Sequence, residues 1–299
     1  MTRVIAVTGA TGALGSRVAE RVAAGAAGAD ARLRLVVRDA ARAPELPGAE
    51  VTEFPGGYAD GQGFAAALDG VHTLYLVSAA EAEDRLQQHL TAVRAAAAAG
   101  VQRIVYTSFV GAGEPDPVFT LVRHHGATER AIAETGVRFT ALRHSMYADF
   151  VPFFAVREGD GAVIAAPAGE GRASFVSRDD CADVGAAVLL DDSGTFDGQA
   201  LDVTGPEALS LAEAAAVLTE VTGLPARFED QTVEQAWATR RPSGHPDWEV
   251  EGWVTSYLAI AAGELATVSD VVPRVTGHPA RTVAEHLRSH PGDWAALVR

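Results

Sequence analysis

The chain begins with a short apolar run, Val4-Ile5-Ala6-Val7. The run breaks at Thr8-Gly9-Ala10-Thr11-Gly12-Ala13-Leu14-Gly15 and apolar residues then resume at helical spacing as far as Val22. A run of that length and type suits a strand covered on both faces, and the helically spaced segment after it suits an amphipathic helix. The reversal between them must be tight, and Gly9 permits it without steric cost. Gly12 has no Cβ to keep a pyrophosphate off the backbone, and Gly15 lets the helix pack closely on the strand with phosphate at the helix N-terminus. The spacing is G-x-x-G-x-x-G, not the commoner G-x-G-x-x-G, so the glycines alone would be weak evidence. Strand, turn and helix in that order point to dinucleotide binding, with Gly9, Thr11, Gly12, Ala13, Leu14 and Gly15 facing the cofactor. The competing reading is a purely structural turn.

The rest of the first half repeats the alternation. Strands are expected at Leu33–Val37, near Val51–Phe54, and at Thr73–Val77, Arg103–Thr107 and Val137–Leu142; helices are expected at Gly61–Leu68, Ala82–Ala99 and Val122–Glu134. Strands alternating with helices specify an α/β fold, a doubly wound parallel sheet of Rossmann type. Ligands of such sheets lie beyond the carboxyl ends of the strands, where Gly12, Ser78, Ser108 and Tyr147 would gather. Val77 and Ser78, with the small Ala79 and Ala80, would let a cofactor lie across the strand ends. After Phe150, Phe153 and Phe154 the alternation stops. A glycine-rich hairpin runs to Gly171, a helix is capped by Ser177 or by Arg178-Asp179-Asp180, and Ala200–Val203 reads as one more sheet strand. A capping box at Ser210 and Glu213 starts a smaller, mostly helical C-terminal lobe. Residues 1–150 are therefore expected to form the dinucleotide-binding domain, re-entered at about 178–204, and 151–299 a discontinuous substrate lobe.

At 299 residues and 48% hydrophobic content the chain can bury a large core. No run is long enough to span a bilayer, and the first strand at residue 4 leaves no room for a signal peptide. The single cysteine, Cys181, excludes an internal disulfide and fits a reducing cytoplasm, the expected location. A net charge of −15 argues against a nucleic-acid partner. All 24 basic residues are arginine, and asparagine is also absent. Lysine Schiff-base chemistry, a Walker-type P-loop and N-glycosylation are thereby excluded.

Arg38-Asp39 ends the second strand, where such folds read the adenosine ribose. An arginine there pairs with the 2′-phosphate of NADP; an aspartate accepts from the 2′-hydroxyl of NAD. Arg38 leads, with Arg42 and Arg17 as helpers, so NADP(H) is preferred and NAD(H) admitted. Asp39 would favour NAD if it turned inward.

T-G-A-T-G-A-L-G at the start, V-R-D-A-A-R-A at 37–43 and A-G-V-Q-R-I-V-Y-T-S at 99–108 resemble the atypical, NmrA-like branch of the short-chain dehydrogenase/reductase superfamily. L-R-H-S-M-Y at 142–147, G-E-G-R-A-S-F-V-S-R-D-D at 169–180 and V-T-G-P-E-A-L-S-L at 203–211 extend the resemblance over nearly the whole chain. Within the branch it is most similar to type 2 NAD(P)H:quinone oxidoreductases. The superfamily's usual Tyr-x-x-x-Lys pair is missing: the matching helix reads His125-Gly126-Ala127-Thr128-Glu129. His125 and Glu129 share a helix face, so Glu129 is placed to orient the imidazole, unless the two are an ordinary packing pair. The resemblance gives Ser108 a bond to substrate or to the nicotinamide ribose, against a strand-end cap. It makes Tyr147 substrate-facing, against a place in the core. Where the family commonly has an aspartate for adenine this chain has Gly57, so the resemblance implies either a weaker adenine contact or one supplied by Tyr58. Adjacent His124 and His125 diverge on a helix, so no metal is expected there or elsewhere.

The resemblance implies an NADPH-dependent reductase that passes hydride to a quinone or similar planar apolar acceptor, using Tyr147, His125 and Ser108. A quinone's product anion is stable enough to be protonated by water or a weak acid, which suits a site lacking the tyrosine–lysine pair. The alternative is a non-catalytic NADP(H) redox sensor of the NmrA type. The expected partner is a small-molecule acceptor; a homodimer is allowed for, a membrane is not.

Overall fold

A computed structural model describes residues 2–298. The first half runs β1 (Arg3–Thr8), α1 (Ala13–Gly25), β2 (Ala31–Val37), β3 (Glu50–Glu53), α2 (Gly61–Ala67), β4 (Thr73–Leu76), α3 (Arg85–Ala98), β5 (Arg103–Phe109), α4 (Thr120–Glu134) and β6 (Arg138–His144). Then come α5 (Phe150–Phe154), β7 (Ala155–Glu158), β8 (Gly161–Ala166), β9 (Arg172–Ala173), α6 (Arg178–Leu190) and β10 (Ala200–Val203). The remainder is β11 (Leu209–Ser210), α7 (Leu211–Thr222), β12 (Ala226–Asp230), α8 (Val233–Arg240), α9 (Asp247–Ala261), α10 (Val271–Thr276), α11 (Val283–Ser289) and α12 (Ala295–Val298).

Seven strands form one sheet in the order β10-β6-β5-β4-β1-β2-β3. Its pairings are parallel, with Val7 opposite both Leu35 and Tyr75. The fold is the expected Rossmann-like α/β sheet, and Ala200–Val203 joins it at one edge. Chain direction across the sheet reverses between β1 and β4, which opens a crevice at their carboxyl ends. Every residue of β1 is buried, the burial that a strand covered on both faces requires. The alanine-rich segment is helical only from Arg85; Ala82 to Asp84 form a turn in which the Arg85 N–H donates to the Ala82 carbonyl at 3.1 Å.

The chain divides into two compact units. The first holds residues 1–109, 124–143 and 181–201. Leu74 and Leu76 of β4, Ile104 and Tyr106 of β5, Phe64 of α2 and Ile132 of α4 belong to one buried cluster. Full burial of each such side chain contributes about 1.5–3 kcal/mol. Gly185 brings α6 against the sheet: a Cβ there would stand 3.3 Å from the Tyr75 hydroxyl.

The second unit holds residues 110–123, 144–180 and 202–299. Besides helices it carries a three-stranded sheet, β12-β8-β7, in which β7 and β8 make the expected hairpin around Gly159 at φ +57°. Strand β12 is poorly marked in the sequence, because its alternation, half-buried Ala226 and Phe228 against exposed Arg227 and Glu229, lasts only four residues on a polar edge strand. The capping box at Ser210 and Glu213 is formed as expected. Ser177 Oγ accepts the Asp179 N–H at 3.2 Å at the start of α6. Asp180, expected as a cap, is fully buried and instead accepts the Arg281 backbone N–H at 2.8 Å and pairs with its guanidinium. Among the described residues no helix is long and apolar enough to cross a membrane.

Candidate functional site

The glycine turn is built as its chemistry demands. Gly9 has φ +64°, and a Cβ on it would lie 3.1 Å from Val77 Cβ. The Gly12 N–H donates to the Gly9 carbonyl at 2.9 Å, which closes the turn. At Gly15 a Cβ would fall 2.2 Å from the Gly9 oxygen, so only glycine lets α1 sit this close to β1. Gly12 is the N-cap of α1 with no side-chain cap, and no carboxylate lies in the first turn, so the helix presents its backbone N–H groups and positive end to the turn.

A cleft of about 430 Å³ opens in front of this turn. Its lining includes Thr8, Gly9, Thr11 and Gly12 from the turn, Arg38 from the end of β2, Gly57 and Tyr58, and Val77 to Ala80 beyond β4. Of the residues expected around a cofactor it thus collects Gly9, Thr11, Gly12, Arg38, Tyr58, Val77 and Ser78. Ala13, Leu14, Gly15 and Ser108 do not line it; Leu14 points into the core, 7% exposed. Phe54, Phe64, Ala82 and Gln88 also border it. Nothing in the local sequence marks Gln88 as a residue of the cleft.

Arg38 and Asp39 take separate directions. Asp39 Oδ1 accepts the Ala41 N–H at 3.0 Å and caps the short turn Ala40–Arg42, away from the cleft lining. Arg38 is exposed at the cleft, and among the described residues no ion pair or hydrogen bond engages its side chain. Of the two expected helpers, Arg17 donates to the Ala13 carbonyl of its own helix and Arg42 lies outside the cleft lining. Tyr58 shows the cleft its ring. Its hydroxyl is turned inward, 2.7 Å from Thr8 Oγ1 and 2.8 Å from the Val77 carbonyl, and burial pushes the phenol pKa up.

The wall beyond β4 is held by side chains in place of sheet partners. The Val77, Ser78 and Ala79 amides donate in turn to Thr8 Oγ1 at 2.9 Å, Thr107 Oγ1 at 2.7 Å and His89 Nε2 at 2.8 Å. The Ala79 carbonyl accepts from Arg85 Nε at 2.9 Å. His89 is 2% exposed, and burial, reinforced by Arg85 and His124, lowers its pKa to about 3. The ring is neutral, and because Nε2 accepts, its proton sits on Nδ1, 2.9 Å from Thr128 Oγ1. His125 belongs to the same buried network: Arg85 Nη2 donates to its Nε2 at 3.0 Å, and its Nδ1 lies 2.9 Å from the Tyr106 hydroxyl.

Glu129 does not orient His125. Its carboxylate accepts from Ser108 Oγ at 2.5 Å and from Arg143 Nε and Nη2 at 3.0 and 2.7 Å. A glutamate thus stands where the superfamily has its lysine, neutralised by an arginine from β6.

A profile of the NmrA-like family matches residues 1–242. The chain belongs to the NmrA-like family. It is 32% identical to the NAD(P)H azoreductase of Xenophilus azovorans over 294 residues, 98% of this chain and 99% of that one. The NADPH-dependent quinone oxidoreductase QOR2 of Escherichia coli, solved in complex with NADPH, superposes with a TM-score of 0.84 at 30% identity, covering 96% of this chain and 99% of the other. The negative transcriptional regulator NmrA, solved with NAD, superposes with a TM-score of 0.75 at 15% identity over 99% and 98% of the two chains, a likeness of fold alone.

In this NmrA-like chain Tyr147 lies in the second unit. The Tyr147 hydroxyl lies 3.2 Å from His144 Nδ1, and the Arg178 guanidinium stacks over its ring, 4.1 Å from the centroid. His144 is 1% exposed; burial, then Arg178, lowers its pKa to about 3, so a neutral imidazole backs the phenol. Arg178 is itself paired with Asp149.

Proposed function

We propose that this chain is an NADPH-dependent oxidoreductase that reduces a quinone or a similar planar, apolar acceptor. The observation that carries the reading is the divergence of Arg38 and Asp39: a cation without an internal partner faces the cleft, while the adjacent carboxylate is spent on a backbone amide. That arrangement selects for a 2′-phosphate and against a bare ribose. The glycines leave the room that a pyrophosphate needs at the N-terminus of α1. NADPH, when bound, supplies the hydride.

The chain's own part is placement and proton handling. Arg38 and the first turn of α1 take the phosphates, and the clamped segment from Val77 to Ala79 gives the cofactor a wall that does not reorganise on binding. Ser108, buried and outside the cleft lining, donates its proton to Glu129 and helps to hold that carboxylate in place. Tyr147, beside His144 and under the Arg178 cation, is the group suited to protonate the reduced acceptor; His125, with both ring nitrogens engaged, serves the architecture around Ala79. Relatives near 30% identity are named as reductases, whereas the NmrA regulator shares only the fold, which favours catalysis over redox sensing.

Steady-state oxidation of NADPH with a panel of benzoquinones, naphthoquinones and azo dyes tests the reading. Turnover with at least one quinone is expected; no acceptor-dependent oxidation with any of them would refute it.

A further inference from the structure

The end of the chain reads His286-Leu-Arg-Ser-His290-Pro-Gly-Asp293, two histidines at i and i+4 followed by an aspartate. The spacing puts both imidazoles on one side of the last turn of α11, where they stack with centroids 4.5 Å apart and planes 19° apart. Pro291 ends the helix and the turn Pro291–Asp293 brings Asp293 back, its Oδ2 3.1 Å from His286 Nε2. From the first turn of α6, Asp179 Oδ2 approaches His290 Nε2 at 3.1 Å. One ligand atom each of Asp179, His286 and His290 falls within 4.8 Å of the others.

We propose that Asp179, His286 and His290 form a site in the second unit for one divalent cation of the zinc class. The positions of the ring protons favour it. His290 Nδ1 lies 3.0 Å from the His286 carbonyl, which only accepts, and His286 Nδ1 lies 2.9 Å from Ser177 Oγ. Oxygen partners on Nδ1 are what fix a ligating histidine with Nε2 free for the metal. With its proton on Nδ1, His290 turns the Nε2 lone pair toward Asp179 Oδ2, two acceptors 3.1 Å apart that a cation between them would satisfy.

The dimensions suit the ion. Metal–ligand distances of about 2.0–2.1 Å give tetrahedral edges of about 3.3–3.4 Å. One edge, Asp179 to His290, already measures 3.1 Å, and with the three ligand atoms within 4.8 Å of one another the others need to close by no more than about 1.5 Å. Three protein ligands leave the fourth tetrahedral position to a water. Such an ion would tie the end of the chain to the start of α6.

The test is calorimetric titration of the full-length, EDTA-treated protein with zinc sulfate, alongside His290→Gln and Asp179→Asn. Both variants change half-buried side chains and spare the buried His286. The wild type is expected to take up one saturable equivalent, with a rise in melting temperature. Each variant should bind at least about tenfold more weakly, since even outer-shell changes cost that much. Cobalt substitution of the wild type should give the intense visible bands of a tetrahedral site, a readout that holds even if a variant folds poorly. Absence of one-equivalent zinc binding, equal affinity in a folded variant, or only the weak bands of octahedral cobalt would overturn the proposal and leave the histidine–aspartate pairs as hydrogen bonds.

Discussion

Nε2 of His89 accepts the backbone N–H of Ala79 across 2.8 Å, so a residue of α3 that never faces the cleft sets the position of one that does. Replacing the imidazole by leucine leaves a buried amide without a partner, which costs about 1–3 kcal/mol. His89→Leu should therefore weaken NADPH binding by roughly tenfold while kcat at saturating cofactor stays within about twofold. His89→Gln, which offers a side-chain acceptor, should recover part of the loss. A variant that only lost stability, with an unchanged dissociation constant, would contradict the positioning role.

Arg38 bears on cofactor choice. One charge-assisted contact to phosphate contributes about 1.5–3 kcal/mol, so Arg38→Ala should weaken NADPH binding roughly tenfold to a hundredfold and leave NADH binding nearly unchanged. Asp39→Ala should disturb only the Ala40–Arg42 turn. Fluorescence titrations with both cofactors check this. Equal affinity of the unmodified protein for NADPH and NADH would contradict the assignment.

Buried neutral histidines make stability depend on pH. His89 and His144 have folded pKa values lowered to about 3, below the ordinary 6.5 of the unfolded chain. Between those values the unfolded state binds more protons, so their stabilising contribution is complete above pH 6.5 and is lost as pH falls toward 3. Each contributes a slope of at most about 1.4 kcal/mol per pH unit. Urea unfolding followed from pH 7 to pH 5 should show the midpoint falling, and His89→Gln should flatten the slope. A slope unaffected by the substitution would refute the attribution to His89.

The proton donor proposed here, Tyr147, is one that a quinone needs less than a ketone does. Tyr147→Phe should reduce quinone turnover only a fewfold, well short of the roughly 10²–10⁴-fold contribution of a dedicated general acid, and simple ketones should be poor substrates throughout. A thousandfold loss in kcat with cofactor affinity intact would make Tyr147 an obligatory acid and move the assignment toward a carbonyl reductase.

The parts of this structure legible in the sequence are those set by local rules. The glycine turn, the parallel strands and the Ser210 capping box each write a short-range constraint into consecutive residues, and the structure carries all three. What the sequence did not disclose depends on partners far apart in the chain. The helix spacing of His125 and Glu129 suggested a pair, but Arg143 on β6 and Ser108 on β5 compete for the carboxylate with better geometry. Asp180 looked like a cap until Arg281, 101 residues later, claimed it. Asp39 was ambiguous because its direction is decided by a single bond to Ala41. Residues 110–123 leave the first unit through a stretch whose glycines and prolines, Gly111, Gly113, Pro115 and Pro117, mark a loop but not the unit it joins.

The central claim, hydride transfer from NADPH to a quinone, is tested most directly by a single turnover. Protein loaded with one equivalent of NADPH is mixed with excess naphthoquinone in a stopped-flow instrument, and the reduced nicotinamide absorbance is followed beside that of the hydroquinone. The account predicts loss of one nicotinamide signal per hydroquinone formed, at a rate well above that of the same mixture without protein. Retention of bound NADPH with the quinone unchanged would contradict it and favour a protein that binds the cofactor without using it.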